Sequence, residues 1–270
     1  MELTQIRHAI IDMDGVLCHG DEAIPGGKEF LAFLGSVGVR FLLLTNNSTL
    51  TVAQYVSKLK RMGIEMTEEA ILTSSVATSA YLGRIAPPGS RVYLIGEEGI
   101  RAELQKGGFV LTSTADADYV VVGLDRKLTY AKLSTAMHAV RSGARLIGSN
   151  PDRTFPSETG LKPGAGVTLA ALEAATDVAP LVIGKPETAI FELALHRLGA
   201  TPQTTAVIGD GLYTDVLGGQ RAGLFTILLL SGVTETAQLI ESAPKPCLVY
   251  ADISALHRVW LEASQAHRPT

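Results

Sequence analysis

The chain has 270 residues, which is long enough for one large or two modest domains. Its composition, 46% hydrophobic and 19% charged, excludes a disordered or fibrous protein. With 23 basic and 27 acidic residues the net charge is −4, which excludes a global basic field for nucleic acid or anionic lipid. The longest apolar runs, such as residues 41–44 and, with the lone Thr226 tolerated, residues 225–230, stay far below the roughly 18 residues that a membrane helix needs.

Short apolar runs alternate with segments of helical periodicity along nearly the whole chain, which is typical of βα units around a mostly parallel sheet. Nine runs without charge at their centres are predicted strands, at residues 9–13, 39–44, 92–95, 119–123, 144–147, 181–183, 205–208, 225–230 and 247–250. Seven segments are predicted helices, at residues 28–37, 52–62, 75–85, 130–141, 167–175, 188–198 and 255–263. We therefore predict an α/β fold with a doubly wound, mostly parallel sheet.

Two turn-rich stretches, residues 84–89 and 177–180, are the predicted seams of the chain. The block between them contains three predicted strands and two predicted helices, which is enough for a domain of its own. We predict an α/β domain at residues 81–179, inserted into a second domain that consists of residues 1–80 and 180–270.

The cysteines and the first residues of the chain indicate the compartment. Cys18 and Cys247 are far apart and form no Cys-x-x-Cys pair, which argues against a disulfide framework or a thiolate zinc site. The first seven residues include Glu2 and lack the apolar core of a secretory signal. We expect a cytoplasmic protein.

Four predicted strands end in polar residues. The four ends read Asp12-Met13-Asp14-Gly15, Thr45-Asn46-Asn47-Ser48, Gly184-Lys185-Pro186 and Gly209-Asp210-Gly211. Ligands of open parallel sheets bind outside the carboxyl ends of the strands, so these residues are expected to converge on one crevice. The crevice is predicted to hold Asp12, Asp14, Thr45, Lys185, Asp210 and, a little further along the chain, Asp215.

Several carboxylates in one crevice repel each other unless a cation neutralises them, and donor sets made only of oxygen suit a hard ion. The sequence therefore predicts a Mg²⁺ site. With Asp14 protonated, the charges of the other three carboxylates, Lys185 and Mg²⁺ cancel, so a phosphoryl dianion can enter. The Lys185 ammonium, the Thr45 hydroxyl and backbone N–H groups would then complement its oxygens.

The pair Asp12 and Asp14 could divide the work of covalent phosphoryl transfer. An ionised Asp12 can attack phosphorus, while its negative charge favours the protonated form of Asp14, which can protonate the leaving group. Asp14 would afterwards act as the base that activates water. Each residue alone is also a common cap of a turn or helix. The coincidence of four polar strand ends in one α/β chain favours the functional interpretation.

These residues resemble, in chain order, the four motifs of the haloacid dehalogenase-like (HAD) hydrolase superfamily. Within it the chain is similar to the NagD-like, p-nitrophenylphosphatase-like branch, subclass IIA. Three further segments are similar to cap segments of that branch, namely residues 121–126, Asn150-Pro151-Asp152 and residues 163–166. The resemblance implies a Rossmann-like HAD core with the inserted α/β domain as its cap.

The resemblance also implies roles for individual residues. Asp12 would be the nucleophile and Asp14 the acid/base, and Asp12, Asp14 (through its carbonyl) and Asp210 would bind the metal. Thr45, Asn46 and Lys185 would hold the phosphoryl group, with Asp215 in support of the metal and of Lys185. In the cap loop at residues 150–162, Arg153 and Phe155, and with them Glu158 and Lys162, are candidates for substrate specificity.

The predicted function is a Mg²⁺-dependent phosphatase that hydrolyses small phosphomonoesters through an aspartyl phosphate. The substrate would be of the sugar phosphate, nucleotide, glycerol phosphate or p-nitrophenyl phosphate type, with no nucleic-acid or membrane partner and with a homo-oligomer left open. The alternatives are a HAD phosphonatase or dehalogenase, and a phosphate-metabolite sensor without activity. Asp14 disfavours dehalogenation, which needs no second proton-shuttling Asp, and a sensor has no use for a nucleophile.

Overall fold

The computed structural model describes residues 1–157, 160–241 and 244–266. Its strands are β1 His8–Asp12, β2 Cys18–His19, β3 Glu22–Ala23, β4 Arg40–Thr45, β5 Ile71–Thr73, β6 Arg91–Ile95, β7 Val110–Thr112, β8 Tyr119–Val122, β9 Arg145–Gly148, β10 Thr154–Ser157, β11 Gly160–Pro163, β12 Leu181–Val182, β13 Thr205–Gly209, β14 Phe225–Leu229 and β15 Leu248–Tyr250. Its α-helices are α1 Gly27–Ser36, α2 Val52–Arg61, α3 Ser74–Ile85, α4 Glu98–Lys106, α5 Tyr130–Arg141, α6 Ala165–Thr176, α7 Thr188–Leu198, α8 Leu217–Arg221, α9 Gln238–Glu241 and α10 Ile253–Ala266. Every predicted strand and helix has a counterpart here.

The chain forms two compact units. The first consists of Met1–Thr45, Val56–Leu72 and Pro186–Thr270, and the second of Asn46–Tyr55 and Thr73–Lys185. The predicted domains, residues 1–80 with 180–270 and residues 81–179, differ from these units at residues 46–55, 73–80 and 180–185. No helix in the described ranges has both the length and the apolar character of a membrane span.

The first unit is built on a sheet in the order β15-β14-β13-β1-β4-β5. The strand pairs from β15 to β4 are parallel, with Ile11 opposite Ile208 and Asp12 opposite Leu44. β1 lies between β13 and β4, so the residues that follow these three strands emerge side by side at one edge. The middle of β1 is fully buried, as expected for a strand that is covered on both faces.

Aromatic packing joins two helices of the first unit. Phe30 and Phe33 on α1 meet Trp260 on α10, with ring centroids 5.9 and 6.3 Å apart. Trp260 is only 1% exposed and is among the largest buried side chains. Its burial explains why the periodic segment at the end of the chain forms a helix, because an amphipathic face gains most of its stability from such packing.

The second unit has a five-stranded sheet in the order β12-β9-β8-β6-β7, whose pairs are all parallel, and an antiparallel hairpin of β10 and β11. Its core lies between this sheet and helices α5 and α6, and includes Ile95, Val120, Val122, Ala139 and Leu169. β12 was predicted within the first domain, but its Leu181 and Val182 pair with Ile147 and Gly148 of β9. An apolar run of two or three residues reads alike in either sheet, so its pattern could not decide between them.

Candidate active site

Three buried aspartates converge in the first unit. Asp12 ends β1, Asp210 directly follows β13, and Asp215 lies in the π-helical turn Leu212–Val216. One carboxylate oxygen from each lies within 4.8 Å of the others. The convergence follows from the topology, since β1 and β13 are parallel neighbours and both aspartates stand at their carboxyl ends. The carboxylate of Asp14, the fourth predicted member, is not part of this group in the described part of the chain.

Two glycines leave the space that Asp210 occupies. A Cβ at Gly15 would lie 2.2 Å from Asp210 Oδ2, and a Cβ at Gly232 would lie 1.8 Å from the same oxygen. Gly15 also has φ +82°, a left-handed conformation that other residues seldom adopt. The N–H of Val233 donates a 2.7 Å hydrogen bond to Asp210 Oδ2, which orients the carboxylate. Sequence reasoning missed Gly232, because a lone glycine after a strand normally indicates only a turn.

Asp215 is held by the loop that carries Asp210. Its Oδ2 accepts hydrogen bonds of 3.1 Å from the N–H of Gly211 and of 3.1 Å from the hydroxyl of Thr214. A Cβ at Gly209 would lie 2.2 Å from Asp215 Cγ. The glycine at position 209 therefore has a physical reason, because the backbone there passes too close to Asp215 for a side chain.

Asp14 is the most open of the four predicted aspartates, with 42% of its side chain exposed. Its Oδ1 lies 3.9 Å from Nζ of Lys58 on α2 and 3.8 Å from Sγ of Cys18. Lys58 is buried, and sequence reasoning missed it because nothing in its pattern separates it from the neighbouring Lys60 and Arg61. Burial, followed by the negative charge of Asp14, raises the pKa of the Cys18 thiol to about 12. The Oδ1 atom of Asp14 thus lies beside the Lys58 ammonium and the neutral Cys18 thiol.

In the second unit the side chain of Asn46 is bonded to Lys185. Asn46 Oδ1 accepts the Lys185 backbone N–H at 2.8 Å, and Asn46 Nδ2 donates to the Lys185 carbonyl at 3.0 Å. Nδ2 also donates to the Asp152 carboxylate, at 3.1 and 3.2 Å from its two oxygens. Asn46 and Lys185 are both buried. A Cβ at Gly184 would lie 2.6 Å from Asn46 Oδ1, so this approach requires glycine there.

The remaining predicted residues belong to three strands or their ends. Thr45 is the last residue of β4 in the first unit and is 2% exposed. Arg153 is exposed directly before β10 in the second unit, and Phe155 is half-buried and pairs with Lys162 across the hairpin. Glu158 lies outside the described residues. The specificity roles of Arg153 and Phe155 stay predictions.

Comparison with known proteins decides the family. A family model described as haloacid dehalogenase-like hydrolase matches residues 9–110, and one described as HAD-hydrolase-like matches residues 182–256. The 5′-nucleotidase YutF of Bacillus subtilis (strain 168) is 40% identical over 237 residues, which are 88% of this chain and 92% of that protein. The chain belongs to the haloacid dehalogenase-like hydrolase family.

Solved structures of HAD hydrolases match over nearly the whole chain. The 4-nitrophenylphosphatase from Thermotoga maritima has a TM-score of 0.90 and 34% identity, with 95% of this chain and 98% of that chain covered. NagD from Escherichia coli K-12 has a TM-score of 0.85 and 33% identity, with 92% and 97% covered. The predicted fold class and the predicted NagD-like, p-nitrophenylphosphatase-like branch are confirmed. The enzyme class, a phosphoric monoester hydrolase of HAD type, is confirmed with them.

Proposed function

We propose that this HAD phosphatase hydrolyses small-molecule phosphomonoesters with Mg²⁺ and through an aspartyl phosphate on Asp12. The observation that carries the proposal is the group of three buried carboxylates, from Asp12, Asp210 and Asp215, within 4.8 Å of one another. Ionised carboxylates packed this closely repel one another strongly, and a divalent cation relieves that repulsion. The chemistry of the site thus agrees with the resemblance.

The donor set fits Mg²⁺. It consists of oxygen atoms only, which a small hard cation prefers, whereas no cysteine or histidine belongs to the group found in the described residues. The carboxylates of Asp12 and Asp210 and the backbone carbonyl of Asp14 would hold the ion, and Asp215 would support it. When bound, Mg²⁺ would neutralise the charge that the carboxylates and the phosphoryl group bring together.

The reaction uses the two aspartates of the first motif in turn. A carboxylate oxygen of Asp12 forms a bond to phosphorus as the bond between phosphorus and the ester oxygen breaks, and Asp14 gives its proton to the departing oxygen. Asp14, now a carboxylate, takes a proton from water. That water attacks phosphorus, the bond to Asp12 breaks, and inorganic phosphate is released. The half-exposed position of Asp14 supports this role, since it can exchange protons with solvent.

The phosphoryl oxygens need donors, and we assign the Thr45 hydroxyl and the Lys185 ammonium to them. Both residues are buried, where charge-assisted hydrogen bonds are stronger than in water. Asn46 was predicted for the same role, but its amide donors already bind Asp152 and the Lys185 carbonyl. Arg153 and Phe155 are retained as specificity candidates.

The substrate is proposed only by class. The names of two relatives indicate a nucleotide in one case and 4-nitrophenyl phosphate in the other, and the resemblance adds sugar and glycerol phosphates. A panel of such phosphate esters, compared by kcat/KM, would identify the preferred leaving group. The cytoplasmic location, the expected lack of nucleic-acid and membrane partners, and the oligomeric state stay predictions.

The test is p-nitrophenyl phosphate hydrolysis by the full chain, with Mg²⁺ and with EDTA. We expect EDTA to abolish turnover and added Mg²⁺ to restore it. Asp12→Asn should abolish turnover without change in the circular dichroism spectrum, whereas Glu29→Gln, the same loss of charge on the exposed face of α1, should leave turnover unchanged. An active Asp12→Asn enzyme would contradict the covalent route, and EDTA-resistant turnover would contradict the metal. Phosphate binding without turnover would favour the sensor alternative.

A further inference from the structure

Both N–H donors of the Asn46 side chain are used in hydrogen bonds within the second unit. An asparagine side chain has two N–H donors, and in Asn46 one binds the Lys185 carbonyl while the other binds the Asp152 carboxylate. Its oxygen accepts from the Lys185 N–H and is closely packed by Gly184. Phosphoryl oxygens accept hydrogen bonds and donate none when ionised. The Asn46 side chain therefore has no donor left for a phosphoryl group unless one of these bonds breaks.

The neighbours determine which way this amide points. In the flipped orientation, the amide oxygen would face the Asp152 carboxylate and the Lys185 carbonyl, and the NH₂ group would face a backbone N–H. Each of these three contacts would then become repulsive, so the network admits one orientation only. Asp152 contributes the charged partner, and charge-assisted bonds are the stronger ones.

The backbone of Asn46 is fixed as well. Its carbonyl accepts a 2.6 Å hydrogen bond from the Ser74 hydroxyl and a 2.8 Å hydrogen bond from Asn150 Nδ2. Asn150 is buried and belongs to the same turn as Asp152, whose N–H donates to Asn150 Oδ1 at 3.2 Å. The Asn46 side chain thus binds both backbone polar groups of Lys185, a residue 139 positions away in the chain. Asn46 is itself held by Asp152 at its side chain and by Ser74 and Asn150 at its carbonyl.

We propose that Asn46 and Asp152 are positioning residues for Lys185, and that the Asn46 side chain does not bind the phosphoryl group. The inference rests on the proposed function, in which the Lys185 ammonium meets the phosphate. Asn46 fixes the main chain from which the Lys185 side chain extends, and Asp152 fixes the orientation of Asn46. The Asn150-Pro151-Asp152 segment, which the reaction itself does not use, thereby gains a role.

A double-mutant cycle with Lys185→Met tests this. The assays are Mg²⁺-dependent hydrolysis of p-nitrophenyl phosphate and calorimetric binding of inorganic phosphate in the presence of Mg²⁺. In the wild-type background we expect Asn46→Ala to lower kcat/KM and phosphate affinity by about 10- to 100-fold. This is the range for loss of a residue that orients a metal-binding side chain, and we apply it to the positioning of Lys185. In the Lys185→Met background the same change should lower both by no more than about twofold, the error of an additive cycle.

Asp152 supplies a second and milder pair of variants. Asp152→Ala removes the acceptor for Asn46 Nδ2 and should reproduce part of the loss, again only where Lys185 is present. Asp152→Asn keeps an amide oxygen at that position and should restore most of the activity. This rescue distinguishes positioning from a general effect on folding, which would lower activity by the same factor in both backgrounds.

The outcomes separate the inference from the proposed function. If Lys185→Met keeps wild-type turnover and phosphate affinity, the role of Lys185 in the proposed function fails, and the inference fails with it. If Lys185→Met is impaired but Asn46→Ala costs the same factor in both backgrounds, the proposed function stands and the inference is overturned. If Asp152→Ala has wild-type activity, the part assigned to Asp152 is overturned.

Discussion

Gly232→Ala is expected to disable the enzyme although it removes no functional group from the site. The added Cβ would lie 1.8 Å from Asp210 Oδ2, 2.4 Å from its Cγ and 2.6 Å from its Cβ. Rotation of the Asp210 side chain cannot relieve the last of these contacts, because the Cβ atom is fixed to the backbone. Either the backbone at Asp210 or the loop at Gly232 must move.

The size of the movement sets the size of the effect. Opening the 2.6 Å contact to a van der Waals separation of roughly 3.5 Å requires a backbone shift of about 1 Å. A misplacement of about 1 Å in a catalytic constellation can cost on the order of 100-fold in rate. If the loop moves instead, Asp210 loses the 2.7 Å hydrogen bond from Val233. We therefore expect kcat/KM for p-nitrophenyl phosphate to fall about 100-fold, with a higher Mg²⁺ concentration needed for half-maximal rate.

Gly35→Ala is the matched control. Gly35 is exposed near the end of α1, and its added Cβ would meet nothing within 4 Å. Turnover should be unchanged and the free energy of unfolding should rise by up to about 1 kcal/mol, since alanine favours a helix over glycine. If Gly232→Ala retains wild-type turnover and wild-type Mg²⁺ dependence, the close packing around Asp210 does not hold the carboxylate in place and the reasoning is refuted.

Three further predictions concern other residues. Asp14→Asn should slow hydrolysis of esters with poor leaving groups by about 100- to 10,000-fold and of p-nitrophenyl phosphate by less, and equal losses would remove Asp14 as general acid. With a pKa of about 12, the Cys18 thiol is only about one part in 10,000 thiolate at pH 8. A disulfide reagent should therefore modify the exposed Cys247 rapidly and the buried Cys18 only after unfolding. Equal rates of modification would contradict this. The Arg126 side-chain hydrogen bond lowers the pKa of Glu97, so the pair stabilises the fold above the ordinary pKa of 4.5 and that stability is lost as the pH falls through the lowered value. Glu97→Gln should therefore lower the free energy of unfolding at pH 7 by less than about 1 kcal/mol, because Arg126 is largely exposed, and the difference from wild type, measured in urea, should shrink below pH 4.5.

The parallel sheets could be predicted because a strand covered on both faces needs an apolar run without charge. β1 illustrates this, with a predicted range of 9–13 and an observed range of His8–Asp12. Two elements missing from the prediction, β7 and α4, lack such a signal. β7 has only three residues, all at least partly exposed, and α4 buries only Gly99, Ile100 and Leu104. The two-residue β12 carried a signal for a strand but none for the sheet that it joins.

The convergence of Asp12 and Asp210 was predictable from topology alone, since residues at the carboxyl ends of neighbouring parallel strands must lie at one edge. The position of Lys58 was not predictable, because its burial beside Asp14 depends on how α2 packs and not on any local sequence pattern. The bonding of Asn46 to Lys185 was hidden for a similar reason. A motif locates a polar residue near a site, but which partner takes each of its hydrogen bonds is decided by tertiary contacts.

Residues that carry chemistry and residues that make room for it differ in how visible they are to sequence reasoning. An aspartate after a buried strand stands out, because a charge at that position needs an explanation. Gly209 and Gly232 do not stand out, although a Cβ at either would overlap a site carboxylate. A side chain at Gly232 would displace the Asp210 carboxylate, and one at Gly209 would displace that of Asp215. Because a displaced carboxylate is lost to the site as surely as a deleted one, the two glycines should tolerate substitution about as poorly as the two aspartates. Functional constraint at this site therefore extends to residues that contribute no functional group.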